Sequence, residues 1–403
     1  MTISVYAEYL AYRFGGTESY AASLLELLQK RYKDSQINVI TESFSCEKTL
    51  SAEELVKQLN NAFGTSISSE NISILYVPFG KHMPKTFSKG ITQLRSEMRS
   101  IFTTKKRFCK IQEFARGTDL FVNTSFLTLE GTARKNIAII HFPLTSLKQS
   151  GIAKRTLRRA LYFFRIDDIE RRFKSSYDRY LPNSDFTARW LARYWGLPEN
   201  KISVVYPPCK MTGSQNATRH KNQILVCGKI ARVKKVGTLV SAYKMSETLR
   251  KNATLVIAGS VIGVDDRYVK ELMSIEPSVK FVFDPSREKL DELYGTSGIF
   301  WHAKGFGTDK PLEFEHFGMT TVEAMSGGCI PIVIDKGGQR EIVTDDCGFR
   351  WTTLEELVRQ TESVIMGNNA EKLRLNAVRR AHNFSKEMFS GRLSSILDEV
   401  LGA

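Results

Sequence analysis

Short apolar runs alternate with helical stretches along the chain, and the rhythm runs twice. In the first half the runs are ISVYAEY, INVITE (37–42), ISILYVP (72–78), DLFVNTS (119–125), NIAIIHFP (136–143) and a closing ISVVYPP (202–208). Pro207 and Pro208 end regular structure there, and a polar stretch follows. The second half restarts with ILVCGKI (224–230), TLVIAGS (254–260), VKFVFDP (279–285), GIFWHAK (298–304) and IPIVIDK (330–336), with three more helical stretches after about residue 353. Apolar runs of strand length separated by helices are the pattern of parallel sheets with crossover helices. At 403 residues the chain suits two cores rather than one. The expected class is therefore α/β, with two Rossmann-like doubly wound domains facing a cleft at the carboxyl ends of their strands. The expected boundaries are 1–208, a linker over 209–223, 224–384, and a C-terminal helix over 385–403 packing back towards the first domain.

Hydrophobic residues at 42% and charged residues at 25% are ordinary for a soluble globular protein. No run approaches the roughly 18 to 20 apolar residues of a membrane-spanning helix. MTISVYAEYL has no basic stretch ahead of an apolar one and does not read as a signal peptide. A cytoplasmic protein is expected. Six cysteines, at 46, 109, 209, 227, 329 and 347, make no C-x-x-C pair and no metal-ligand spacing. Reduced, structural thiols are expected, and no metal.

The net charge of +15 asks for an anionic partner. Between Gly80 and Lys110 stand nine Lys or Arg against one acid, and between Lys148 and Arg179 ten against four. Leu157, Leu161, Phe163, Phe164 and Ile166 interleave the second cluster as on an amphipathic helix. A solvated helix face explains either cluster alone; two in one half favour an anionic membrane surface.

The stretch PLEFEHFGMTTVEAMSGGCIPIVIDKGGQREIV (311–343) carries the strongest chemical signal. Glu315 and Glu323 have seven residues between them, around the turn His316-Phe317-Gly318, and a helix opens at Thr320 or Thr321 and ends at Gly327-Gly328. A helix start offers unpaired N–H groups and a positive dipole to a diphosphate or sugar, and Gly318 lets the backbone come close. A glycosidase pair of carboxylates stands roughly 5 to 9.5 Å apart. Eight residues of helix would span about 12 Å. The two glutamates are better placed to hold two parts of one long ligand.

This stretch resembles the E-x7-E signature of the family 4 glycosyltransferases, which are retaining enzymes of GT-B fold. The resemblance implies Glu315 beside the transferred sugar, Glu323 on the ribose hydroxyls, and the segment Phe317, Gly318, Met319, Thr320 on the sugar and phosphates. Phe14-Gly15-Gly16-Thr17-Glu18 is similar to the family's N-terminal glycine loop, implying Gly15 and Gly16 at the donor phosphates; an ordinary strand-to-helix turn is the plain alternative. HFP (141–143) resembles the end of a strand whose His edges the acceptor site, which makes His141 a catalytic candidate. A hydrogen-bonded structural His is its alternative. ILVCGKIARVKK (224–235) is similar to the segment that places an Arg and a Lys on the diphosphate, where cations stabilise the departing charge. Spacing favours Arg232 and Lys235, with Lys229 and Lys234 as alternates.

More loosely, PNSDFTARWL (182–191), VVYPPC (204–209) and EHFG (315–318) are similar to polyprenol- and dolichol-pathway α-1,2-mannosyltransferases. That implies GDP-mannose or a UDP-sugar as donor and a glycan or lipid-linked acceptor, on the cytoplasmic face of a membrane. No D-x-D triplet occurs, and the family implies protein cations in place of a metal, with no cofactor. A nucleotide-sugar epimerase on the same fold is the alternative enzyme. The charge alone suggests a nucleic-acid binder, but no RNA-binding signature accompanies it, so nucleic acid is not an expected partner.

Overall fold

The computed structural model describes residues 1–12, 14–45, 47–80, 106–143, 168–212 and 219–402. The described strands form two six-stranded sheets, every pairing parallel. The first holds β1 (Thr2–Tyr6), β2 (Gln36–Phe44), β3 (Ile72–Gly80), β4 (Leu120–Asn123), β5 (Lys135–Ile140) and β6 (Arg179–Pro182), in the order β3-β2-β1-β4-β5-β6. The second holds β7 (His220–Cys227), β8 (Thr254–Gly259), β9 (Lys280–Phe283), β10 (Ser297–His302), β11 (Ile330–Ile334) and β12 (Phe349–Trp351), in the order β12-β11-β10-β7-β8-β9. Each sheet has the doubly wound order 3-2-1-4-5-6, so strand order reverses between β1 and β4 and again between β7 and β10.

Helices cover both faces, so the central strands are apolar on both sides. Ile3 and Val5 of β1, and Ile299, Phe300 and Trp301 of β10, are wholly buried. In the first unit the helices are α1 (Gly16–Arg31), α2 (Ala52–Phe63), α3 (helical over 106–115) and α4 (helical over 168–176), followed by α5 (Asp185–Trp195). An aromatic cluster of Phe173, Tyr177, Tyr180 and Trp195 fills the core beside β6. The second unit adds α6 (Val236–Met245), α7 (Glu247–Asn252), α8 (Asp266–Ile275), α9 (Arg287–Thr296), α10 (Met319–Ser326), α11 (Gln339–Ile342), α12 (Leu354–Met366) and α13 (Ala370–Ala381), and α14 (Lys386–Leu401) ends the chain. The buried indole of Trp301 donates to Thr361 Oγ1 of α12 at 3.0 Å, which removes the cost of an unpaired N–H in the core.

One compact unit gathers Met1–Asn183, Thr187–Val205 and Ser390–Ala403, the other Ser184–Phe186 and Tyr206–Phe389. Within the first, Arg31 pairs with Asp398 and Arg179 with Glu399, so the end of α14 is tied to α1 and β6.

Two readings change. Residues 202–208 make no strand: a single bridge joins Tyr180 to Ile202. The sixth strand is instead the four-residue RYLP of β6. The stretch read as linker is partly strand, because β7 begins at His220. Ahead of it, Cys209 N–H donates to Phe384 O and Thr212 N–H to Ser326 Oγ.

Candidate active site

Two glycines bring the ends of β7 and β8 together. Gly228 has φ 138°, and a Cβ on Gly259 would lie 1.7 Å from the Gly228 carbonyl oxygen. Only glycine fits either position. The chain then turns through a short 3-10 segment, Arg232–Lys234, with Lys235 left-handed at φ 59°, and enters α6. That turn sends Lys234 inwards: its Nζ lies 2.6 Å from Glu315 Oε2.

The end of β10 supplies the rest. His302 Nε2 is 3.2 Å from the same oxygen, and Lys304 Nζ is 3.5 Å from Oε1. One carboxylate thus meets two ammonium groups and an imidazole at the strand-order reversal of this sheet, the place where doubly wound folds bind ligands. The Glu315 side chain is 16% exposed. Burial pushes its pKa up, but Lys234, then Lys304 and His302, hold it well below the usual carboxylate range. Burial also lowers the pKa of His302, which keeps it neutral, and that of Lys304.

The turn after Glu315 is locked against a second one. Gly338 N–H donates to Glu315 O at 2.8 Å, and Cβ atoms on Gly337 or Gly338 would strike the carbonyl oxygens of Glu315 or His316 at 2.2 and 2.4 Å. Gly318, at φ 131°, caps α10. The Phe317 side chain is core, packed on Tyr206 and Phe384. What this turn offers a ligand is therefore backbone at Phe317 and Gly318, and the first N–H groups of α10 at Met319 and Thr320. One turn further on, buried Glu323 accepts from Arg287 Nη1 of α9 at 3.1 Å, and Arg287 also pairs with Asp291. Burial raises the Glu323 pKa, and Arg287 opposes the rise.

The four candidate cations of 229–235 divide: Lys229 and Lys234 line one pocket with Gly228 and His302, and Arg232 and Lys235 do not. Lys234 reaches Glu315. Arg232 is exposed, pairs with Glu271 at 2.5 Å and lies over the Tyr268 ring at 4.3 Å. Lys229 is exposed and Lys235 half-buried. Sequence reasoning favoured Arg232 and Lys235, with Lys229 and Lys234 as alternates, and it missed His302, Lys304 and Arg287. The first two had a signal, since polar residues at the end of the strand next to β7 face the reversal point. Arg287, at the start of an ordinary amphipathic helix, had none.

The remaining candidates lie in the first unit. Gly15 caps α1, and its N–H is taken by Glu18 Oε2 at 3.0 Å, while Gly16 opens the helix. His141 is buried, with Nε2 3.0 Å from Thr124 O and the rings of Phe126 and Tyr20 against it. Burial lowers its pKa to about 4, so the ring stays neutral near pH 7, and its Nε2 donates to the carbonyl.

A second buried charge cluster lies near the carboxyl ends of β1 and β2. Arg107 of α3 is 6% exposed, pairs with Glu8 at 2.7 Å and with Glu42, donates to Tyr6 OH at 2.9 Å, and lies over Phe79. Tyr6 OH donates in turn to Glu42 Oε1, while the buried Glu42 Oε2 has no hydrogen-bond partner among the described residues. Burial pushes the Glu42 pKa up to about 8 despite Arg107. Arg107 was counted within the first basic cluster; it is a core residue instead. Of that cluster's other described members, Lys110 pairs with Glu113. In the second cluster, Arg171 and Arg172 pair with Asp168, and Lys174 with Glu170. Most of both clusters, 81–105 and 148–167, lies outside the described residues, as do the interleaved apolar residues 157–166.

Among the described residues no helix is long and apolar enough to cross a membrane, and no group of three or more His, Cys, Asp or Glu could hold a metal ion.

Residues 211–383 match the family described as Glycosyl transferases group 1. The chain is 25% identical over 264 residues to a GDP-Man:Man(3)GlcNAc(2)-PP-Dol alpha-1,2-mannosyltransferase of Neurospora crassa, covering 56% of this chain and only 46% of that enzyme. It is 20% identical to the enzyme of the same name in Caenorhabditis elegans, covering 87% of this chain and 81% of the relative. Among solved structures, sucrose-phosphate synthase of Thermosynechococcus elongatus superposes with TM-score 0.68 at 16% identity over 100% of this chain and 99% of its own. Anabaena HepE, in complex with UDP and glucose, superposes with TM-score 0.63 at 15% identity over 99% and 100%. The fold is that of the GT-B glycosyltransferases.

Proposed function

We propose that the chain is a retaining, metal-independent glycosyltransferase that moves a sugar, mannose from GDP-mannose or a hexose from a UDP-sugar, onto a glycan or lipid-linked acceptor. The observation that carries this reading is the Glu315 cluster: a part-buried, ionised carboxylate held by Lys234, His302 and Lys304 beside the start of α10. A diphosphate has an anionic leaving group, and the cations and helix start stand ready for the charge it gains as the glycosidic bond breaks. Those protein cations take the part a divalent metal plays elsewhere. Glu315, held ionised, accepts hydrogen bonds from the hydroxyls of the transferred sugar, while Glu323 reaches the ribose. The mannosyl donor and dolichol-linked acceptor are supported by the names of the Neurospora and Caenorhabditis relatives.

The test is transfer from GDP-mannose, and in parallel UDP-sugars, to a polyprenyl-diphosphate oligosaccharide in the presence of EDTA. The expected product has the donor's anomeric configuration. Failure to bind any nucleoside diphosphate sugar overturns the assignment.

The same proposal places the enzyme peripherally on the cytoplasmic face of a membrane, supported by the basic segments and by an acceptor built on lipid. Each Lys or Arg near an anionic leaflet gains about 1 kcal/mol. Wild type should pellet with phosphatidylserine vesicles at low salt and not at high salt. A variant with Lys105, Lys106, Arg158 and Arg159 changed to Ser should stay in the supernatant, with Arg107 left intact for its role in the core. Equal pelleting of the two proteins would discard the membrane arm.

A further inference from the structure

We propose that Lys304 is a donor-diphosphate ligand, the second cation of the site, in the place that spacing assigned to Arg232. The inference rests on the glycosyltransferase reading and deepens it. A diphosphate needs more than one positive charge, and the β7–α6 segment brings only Lys234 onto Glu315: Lys229 lines the same pocket from an exposed position, and Arg232 is turned out to Glu271 and Tyr268. Across the strand-order reversal, Lys304 stands two residues beyond β10, 15% exposed, its Nζ on Glu315 Oε1 while Lys234 holds Oε2. Two ammonium groups share one carboxylate, and His302 is neutral, so the cluster keeps an uncompensated positive charge in a part-buried crevice. An isolated buried charge is costly, and the cost is relieved by an anion.

A lysine that served only to hold Glu315 would be redundant, because Lys234 already does so at 2.6 Å. The 3.5 Å separation of Lys304 is long for a charge-assisted bond and leaves its other N–H donors for a ligand. The two residues before Lys304, His302 and Ala303, line a pocket with Gly228, Lys229 and Lys234, where the sheet presents its carboxyl edge.

Titration calorimetry with GDP and UDP, and with guanosine and uridine as phosphate-free controls, tests the assignment in wild type, Lys304→Met, Lys304→Arg, Lys234→Met and Arg232→Met. Lys304→Met should weaken the diphosphate that wild type binds by about ten- to a hundredfold. It should leave the nucleoside unchanged, with Lys304→Arg restoring part of the loss and Arg232→Met staying within about twofold. Since Lys304→Met also loosens Glu315, the comparison is repeated in a Glu315→Gln background. A direct ligand still loses diphosphate affinity there, whereas a residue acting through Glu315 loses none. Full diphosphate affinity in Lys304→Met, or a loss that vanishes with Glu315→Gln, overturns the assignment and leaves the glycosyltransferase reading standing. A wild type that binds neither GDP nor UDP overturns both.

Discussion

Two carboxylates, the buried Glu42 and the part-buried Glu315, stand near the carboxyl edges of sheets with the same strand order, and their pKa values move in opposite directions. Burial acts on both and favours the neutral acid. Glu315 has Lys234 and Lys304 to itself, with His302 donating, and ends well below the usual range. Glu42 shares one guanidinium with Glu8 and ends at about 8. The ratio of cations to carboxylates decides the sign. It also sets the charge left over at each sheet edge: the Arg107 cluster has no positive charge to spare, whereas the Glu315 cluster does. Topology offers two equivalent edges, and the side chains choose between them.

The sharpest way to break this comparison is Glu315→Gln. The change keeps the shape of the group and removes the charge that both lysines meet, and that the proposed function sets against the sugar hydroxyls. Transfer should fall by about a hundred- to a thousandfold in kcat, as for loss of a preorganised electrostatic group. Binding of the nucleoside diphosphate should hold or tighten, because the lysines are no longer partly neutralised. Initial rates alongside titration with GDP and UDP separate the two effects. Turnover close to wild type would remove Glu315 from the chemistry.

Arg107→Leu makes the opposite kind of damage. It leaves Glu8 with no cation, and breaking a buried pair costs about 3 to 5 kcal/mol. Urea unfolding should show that loss, and Glu8→Gln in the same chain should recover part of it. Nucleotide affinity of the folded protein should be unchanged, since the cluster is structural. A loss of donor binding with stability intact would turn the comparison around.

The sequence showed the scaffold better than the partners, for reasons visible in particular residues. β1 to β5 and β7 to β11 are apolar runs bounded by turns, long enough to read. RYLP in β6 offers only Tyr180 and Leu181 between an arginine and a proline, and FRW in β12 has three residues, so neither stands out. ISVVYPP has strand composition but makes one bridge, because pairing depends on a neighbour that local composition does not specify. Glu315, Gly318 and Glu323 were legible because spacing and glycines converge on one helix start. Which lysine meets Glu315 was not: Lys234 lies 81 residues away, and its direction depends on a 3-10 turn closed by the left-handed Lys235. Lys304 is nearer, 11 residues away, but the connecting GFGTDKPLEF has no period from which to read a face.

The two clusters should also leave opposite marks on stability against pH. The folded pKa of Glu42, about 8, lies above the ordinary 4.5, so the folded protein holds a proton that the unfolded chain releases. Its contribution is whole below pH 4.5 and is lost as pH rises through 8, with a slope of up to about 1.4 kcal/mol per pH unit in between. Glu315 is depressed, so its contribution is present above pH 4.5 and lost as pH falls further. Melting temperatures of wild type and Glu42→Gln from pH 5 to 9 should converge on the acid side and diverge on the alkaline side. Parallel curves would mean that Glu42 is ionised throughout.

The smallest effect separates a cation inside a cluster from one outside. Arg232 sits two residues before Lys234, and by spacing alone it has the better claim to the diphosphate. Its side chain is 65% exposed and is engaged with Glu271 and the Tyr268 ring. Exposed ion pairs contribute about 0 to 1 kcal/mol, and an exposed cation–π contact about as much. Arg232→Ala should therefore leave stability nearly unchanged and change kcat/KM by no more than about twofold, while Lys234→Ala, which uncovers Glu315 and removes a cation proposed for the diphosphate, should cost about ten- to a hundredfold. Steady-state kinetics of the two variants side by side decide the point. A loss in Arg232→Ala equal to that in Lys234→Ala would mean that Arg232 leaves Glu271 when donor binds, and that the charge balance of the empty site understates that of the occupied one.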